Sequence, residues 1–371
     1  MKLLLFAHIT PSGGTGTYFK QLVEFLKTEN YDFSVVLQQR DILNPDIKPL
    51  IEKLNVIPYI THYKLEYFIF RVFRRLKLED IYCYYRDLFL ARKFEKKYNS
   101  DLFFVSQGGG YEFQSFLKAK KPVIFVIHSL TLQQTGFKYK FFLNKFKKNN
   151  NTRNKCIVNV SETANKLFMQ FSPVKNIRSV AVPNFARDYG VKKDKHDGIN
   201  VLTVGHLQSW KNPELWAQVA SKLAAEYENV TFYWAGLGEM FNEIQEKVKA
   251  YNNIKLLGFI SNLEKYYKMT DIYFQPSILE SQGLAVVEAL GCGIPCVVSN
   301  AGGLPDSITD GVDGFVCDLN MPEEFYEKIK ILITDKKLRK TMAENARLKY
   351  DQKFSSKIWE GMMAKLIESL V

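Results

Sequence analysis

Short apolar runs rich in β-branched and aromatic residues recur along this chain, and between them apolar residues return with the spacing of a helix. In the first half the runs are 2–7, 33–37, 102–105, 123–127 and 156–160. Runs without polar alternation suit strands covered on both faces, as in a parallel sheet. Pro11 to Gly16 reads as a glycine-rich turn after the first run, and Tyr18 to Leu26 follows with helical periodicity. The second half repeats the scheme at 199–204, 230–234, 254–257, 272–275 and 295–299, with helical stretches between, such as 213–227. A last helical stretch covers about 354–370. Strands alternating with helices predict two consecutive α/β domains, each a doubly wound, Rossmann-like parallel sheet. The expected domains are 1–185 and 186–353, joined near 183–198, where Pro183-Asn184 ends an apolar strand and 192–198 is polar and turn-rich. The terminal helix, about 354–371, is expected to pack back on the first domain. Two such domains face a central cleft, and ligands of such sheets bind beyond the carboxyl ends of the strands.

The length of 371 residues suits two domains of ordinary size. The five cysteines form no C-x-x-C pair, and no His stands near Cys292 and Cys296 to complete a metal site. That usage fits a reducing compartment, and the run at 3–7 is too short for a secretory leader. With no long apolar span, a cytoplasmic location is expected. The net charge of +12 is uneven: residues 1–180 hold 29 Lys and Arg against 14 Asp and Glu, so the whole excess lies in the first half. Such a half needs an anionic partner or a solvated face.

Candidate chemistry concentrates between Pro276 and Pro295. Glu280 precedes Gly283, where a helix is expected to begin, and the amides at a helix start favour an anion such as a diphosphate. Glu288 lies on that helix and can accept hydrogen bonds from a vicinal diol such as a ribose. Glu280, on the loop, can accept them from sugar hydroxyls. The plain alternative for a glutamate at a helix start is a partner of the helix dipole.

This stretch resembles family 4 of the retaining glycosyltransferases, of the glycosyl transferases group 1 type, whose mark is E-x7-E, here Glu280 and Glu288. The surrounding P-S-x-x-E, G-L and E-A-L-G-C-G-x-P are similar as well, as are Gly302 to Asp306 and Asp310 to Gly314. The likeness is strong over roughly 199–320 and weak in the first half. It implies a GT-B fold and retaining transfer of a hexosyl group from a nucleoside-diphosphate sugar, with UDP favoured, to an acceptor hydroxyl. It also implies front-face attack, in which the leaving phosphate oxygen takes the acceptor proton. The family's V-G-R-L-x-x-x-K stands here as Val204-Gly205-His206-Leu207 followed by Lys211, so His206 replaces the Arg that grips the diphosphate together with the Lys. A neutral His offers one donor where Arg offers a charged fork.

By the same resemblance, the backbone at Phe259 and Ile260 holds the nucleobase, and Gly13 and Gly14 approach the donor phosphate and sugar. His128, after a strand, touches the donor sugar. Gln282, Gly283 and Leu284 belong to the donor site, with Gln282 where an aromatic residue is usual. The catalytic set implied is Glu280, Lys211 and His128. No metal is expected, since no D-x-D motif or Cys/His cluster is present.

Two segments of the first half, 64–97 and 136–155, are both basic and aromatic. At 100° per residue, Leu65, Ile69, Val72, Phe73 and Leu76 fall on one side of a helix, with Lys64, Arg71, Arg74 and Arg75 opposite. Such a helix either covers its own domain or docks on an anionic membrane, and the run at 137–148 supports docking. The expected partners are therefore a nucleotide-sugar donor, a saccharide or lipid-linked acceptor of bacterial cell-envelope polysaccharide synthesis, and the inner face of the plasma membrane. Rival readings are a non-catalytic GT-B partner subunit, favoured by His206, and a GT-B sugar-nucleotide epimerase. Charge alone suggests nucleic acid, and no nucleic-acid motif accompanies it.

Overall fold

A computed structural model describes every residue except 8–13, 38–41, 43–47, 59–62, 108–113, 132–153, 173–176 and 192–196. Gly13 and the basic run at 137–148 lie outside the described residues, as do the side chains of Lys64 and Leu65. The chain divides into two compact units, one of 1–182 with 360–371, the other of 183–359.

The first unit holds a seven-stranded sheet in the order β3-β2-β1-β4-β5-β6-β7. Its strands are β1 Lys2–Ala7, β2 Asp32–Leu37, β3 Val56–Pro58, β4 Leu102–Gln107, β5 Val123–Ile127, β6 Lys155–Asn159 and β7 Arg178–Ala181. All pairings are parallel. The second unit holds a six-stranded parallel sheet in the order β10-β9-β8-β11-β12-β13. These are β8 Ile199–Val204, β9 Val230–Ala235, β10 Ile254–Gly258, β11 Ile272–Gln275, β12 Cys296–Ser299 and β13 Gly314–Cys317. Both expected doubly wound sheets are thus present. The apolar runs predicted the central strands because those are buried on both faces: β5 and β12 are buried at every position. The strands the runs do not predict, β3 and β13, are two of the four edge strands; the other two, β7 and β10, do carry apolar runs. An edge strand has one neighbour and partial cover, so a continuous apolar run is not required of it.

The helices of the first unit are α1 Gly14–Thr28, α2 Lys48–Ile51, α3 Tyr63–Arg75, α4 Glu79–Lys97 and α5 Glu162–Phe171. The second unit has α6 Pro213–Glu226, α7 Phe241–Val248, α8 Glu264–Lys268, α9 Leu284–Gly291, α10 Leu304–Ser307, α11 Pro322–Thr334 and α12 Lys336–Lys349. The final helix, α13 Ser356–Glu368, runs into the stretch 360–371 that belongs to the first unit, where Arg178 donates to Ser369 Oγ at 2.7 Å.

The amphipathic helix expected at 64–77 is α3, and its apolar stripe is divided. Ile69 and Phe73 are half-buried, with Phe73 5.2 Å from the Tyr82 ring of α4. Val72 and Leu76 are exposed, the latter at 61%, and so is Phe68 at 63%. Helical spacing gives the axis of amphipathicity, while the position of α4 decides which part of the stripe is covered.

Candidate donor site

In each sheet the strand order reverses beside the first strand, and at such a point the loops leaving two neighbouring strands part in opposite directions and open a crevice. In the second unit the reversal lies between β8 and β11. The loop after β8 carries Gly205, His206 and Lys211; the loop after β11 carries Pro276 to Gly283. Backbone bonds join them: the amides of Ile278 and Leu279 donate to Trp210 O at 2.8 and 3.4 Å. The loop after β12 is tied in by Gly303 N to Glu280 O at 2.9 Å.

Lys211 and Glu280 meet there, Nζ to Oε2, at 2.5 Å, with side chains only 17% and 18% exposed. Gly205 makes room for this lysine, since a Cβ at that position would lie 3.3 Å from Lys211 Cε. Asn212 follows in the left-handed conformation, and its side chain accepts from Leu215 N to cap α6. Lys211 is thereby held at the end of a short turn braced by a helix.

Gly283, with φ +88°, is the N-cap of α9. A side chain there would be strained by the backbone and would also press on Leu304 Cδ2, 2.7 Å from an added Cβ. Val286 and Val287 donate to Gly283 O, whereas the amides of Leu284 and Ala285 have no carbonyl partner among the described residues, as is usual at a helix start. The Leu284 side chain packs against the core.

Glu288 lies one turn further along α9. Tyr267 donates to its Oε2 at 2.7 Å, and the Tyr267 ring stacks on Tyr189 at 5.3 Å. Burial pushes the Glu288 carboxyl up to about 7, against the hydrogen bond from Tyr267 and the charge of Arg187, which both favour the anion.

The other expected residues are placed as follows. The His206 side chain is exposed and makes no hydrogen bond to a described residue. Phe259 is 67% exposed just beyond β10, and Ile260 packs on the core. Gln282 is buried and turned to the chain start of this unit: it accepts from Asn184 N and donates to Asn184 O, both at 2.8 Å. Both polar atoms of its amide are thus bonded to the backbone of Asn184. In the first unit, Gly14 opens α1. His128 follows β5, bonded to Ser106 Oγ through Nε2 at 3.1 Å and edge-on to the Tyr18 ring at 4.4 Å. Only part of its ring reaches solvent, and burial pushes its pKa down to about 4, so it is neutral at pH 7.

Sequence reasoning did not find Tyr267, Tyr273 or Gln275, which surround the two glutamates. Only Gln275 leaves a trace: it is the one polar residue of the otherwise apolar strand Ile272–Gln275.

Residues 187–349 match the sequence model of the family described as Glycosyl transferases group 1. The chain is 29% identical over 214 residues to an uncharacterized glycosyltransferase of Haemophilus influenzae, a match covering 56% of this chain and 60% of that protein. It is 30% identical over 161 residues to the UDP-Gal:alpha-D-GlcNAc-diphosphoundecaprenol alpha-1,3-galactosyltransferase of Escherichia coli, covering 42% of this chain and 41% of that protein. The matches thus span about half the length of these relatives. Among solved structures, a glycosyltransferase from Rickettsia africae superposes with a TM-score of 0.78 at 16% identity, over 100% of this chain and 98% of that one. Anabaena Alr3699/HepE in complex with UDP and glucose superposes with a TM-score of 0.74 at 18% identity, over 100% of both chains. The fold is that of the GT-B glycosyltransferases, and the second unit carries a glycosyl transferases group 1 domain.

Proposed function

We propose that the chain is a retaining glycosyltransferase that moves a hexosyl group from a nucleoside diphosphate, UDP in preference, to an acceptor hydroxyl of a lipid-linked or surface-polysaccharide precursor. The reading is carried by the meeting of Lys211, Glu280 and the first amides of α9 at the strand-order reversal of the second unit. Lys211 and those amides supply positive charge for a diphosphate. Glu280 accepts from the sugar hydroxyls, and Glu288 accepts from the ribose diol.

The bond from the anomeric carbon to the leaving phosphate oxygen breaks. The acceptor oxygen bonds to the same face of that carbon, and its proton passes to the phosphate oxygen. The protein contributes position and electrostatic stabilisation of the departing charge, with His206 assisting Lys211. His128, neutral, offers a hydrogen bond to the sugar. These groups supply the charge without a metal, so turnover is expected to persist in excess EDTA; activity lost there and restored by magnesium or manganese would contradict this. The choice of UDP and of a lipid-linked acceptor is supported by the name of the Escherichia coli relative and by the UDP held in HepE. Association of the first unit with an anionic membrane is supported by its charge and by the exposed residues of α3.

The test is a thermal-shift panel of UDP, GDP and ADP and their hexose derivatives. A bound donor raises the melting temperature by mass action, and Glu280→Gln should reduce the rise for the sugar nucleotide. A protein indifferent to every member of the panel would retire the reading.

A further inference from the structure

Glu280 receives two hydrogen bonds, and both fall on the same oxygen. Lys211 Nζ donates to Oε2 at 2.5 Å and Gln275 Nε2 to Oε2 at 3.4 Å, while Oε1 has no partner among the described residues. The carboxylate is therefore held by one edge with the other left for a ligand. Gln275 is 1% exposed at the end of β11. Its amide orientation is set from behind: Tyr273 donates its hydroxyl proton to Gln275 Oε1 at 2.9 Å. Tyr273 is fully buried, and its hydroxyl oxygen lies 3.3 Å from Val204 N at the end of β8. With Oε1 facing Tyr273, the amide must turn Nε2 toward Ser277 Oγ, at 3.2 Å, and Glu280. The flipped amide would set a carbonyl oxygen against a carboxylate and lose the bond to Glu280.

We propose that Gln275, oriented by Tyr273, is the positioning residue for Glu280, and that it keeps the carboxylate aimed at the donor sugar once the diphosphate has drawn Lys211 away. In this structure Lys211 is the cation paired with Glu280. A diphosphate offers Lys211 a more highly charged acceptor, and the carboxylate that loses its cation would be free to rotate and recruit water. The buried amide of Gln275 is the donor that stays. The inference rests on the reading of Glu280 as the acceptor from the sugar hydroxyls.

The quantity that isolates this role is the ratio of affinities for a UDP-sugar and for UDP, measured by calorimetry with the UDP-sugar that gives wild type its largest thermal shift. UDP reaches Lys211 and Glu288 but not Glu280, so the ratio reports the sugar contact alone. Gln275→Leu should lower the ratio about tenfold and leave UDP binding within about twofold. Gln275→Glu should lower it at pH 8, where two carboxylates face each other, and recover part of it near pH 5.5. Tyr273→Phe, which keeps the amide but frees it to flip, should fall between wild type and Gln275→Leu. It decides the matter if the leucine variant does not fold. An unchanged ratio in a folded Gln275→Leu or in Tyr273→Phe overturns the proposal while leaving the assigned function intact. A wild-type protein that binds neither UDP nor any UDP-sugar overturns the functional reading, and this inference with it.

Discussion

Glu288 is held between two demands, since a ribose diol is best bound by a carboxylate and the burial around this side chain favours the neutral acid. Its pKa stands at about 7 in the folded protein against 4.5 for the free group, so the folded state binds the proton more tightly than the unfolded chain. The stability from that proton is fully present below about 4.5 and is lost as pH rises through about 7. Glu288→Gln, which cannot ionise, should therefore melt progressively above wild type from pH 5 to pH 8, by up to about 3 kcal/mol in stability. Melting curves at four pH values would test this; parallel curves would contradict it. The same substitution should weaken UDP at pH 8 about 10- to 100-fold and flatten the pH dependence of UDP binding. Lys211→Ala removes the charge proposed to face the diphosphate and should weaken UDP by a similar factor without changing the acceptor constant. His206 is exposed, so His206→Arg should keep or improve UDP affinity. Loss of binding in that variant would point to a tighter role for the imidazole.

Loops at the ends of elements hold the site, and their polar anchors carry measurable stability. In the turn before β13, Asp313 is 2% exposed; it accepts from Thr309 N at 2.9 Å and from Lys349 Nζ of α12 at 3.0 Å. Lys349 also donates to Thr309 Oγ1 at 2.7 Å. Asp313→Ala leaves a largely buried ammonium and an unpaired amide, so a loss of about 2–3 kcal/mol is expected in denaturant unfolding. Lys349→Met leaves the more deeply buried Asp313 carboxylate without its cation, with the Thr309 amide still donating to it, and should cost a comparable amount in the same measurement. The Gln282 clasp on Asn184 works at the same level: a side-chain amide bonded to both the N–H and C=O of one residue ties the α9 loop to the start of its unit.

At the scale of the molecule, charge and exposed apolar surface coincide in the first half. The excess of Lys and Arg lies within 1–180, and there α3 exposes Phe68, Val72 and Leu76 along one line together with Arg71, Arg74 and Arg75. On the neighbouring helix α4, Phe89 is 66% exposed and Arg92 and Lys93 are exposed as well. Apolar side chains beside cations suit the interface of an anionic bilayer, where each basic residue adds about 1 kcal/mol. None of the described helices is long and apolar enough to cross a membrane. Sedimentation with vesicles of phosphatidylglycerol should carry the protein down at low salt and release it at high salt. Replacing Arg71, Arg74 and Arg75 by Glu should abolish that binding and leave UDP binding intact. Equal association with neutral and anionic vesicles, or none with either, would assign α3 to a soluble partner or to solvent.

The two parallel sheets and the segment from Glu280 to Glu288 were legible in the sequence, because each depends on residues close together in the chain. A strand buried on both faces must be apolar throughout, and a helix that starts at a left-handed residue favours Gly283 there. Edge strands β3 and β13 escaped because a strand with a single neighbour need not meet that demand. Only the tertiary structure joined Lys211 to Glu280 across 69 residues, since β8 and β11 are neighbours in the sheet while β9 and β10 separate them in the chain. It also turned Gln282 to Asn184, set Tyr267 on Glu288 and placed Gln275 behind Glu280. Periodicity encodes which residues are buried; which of them meet is decided by the order in which strands pack.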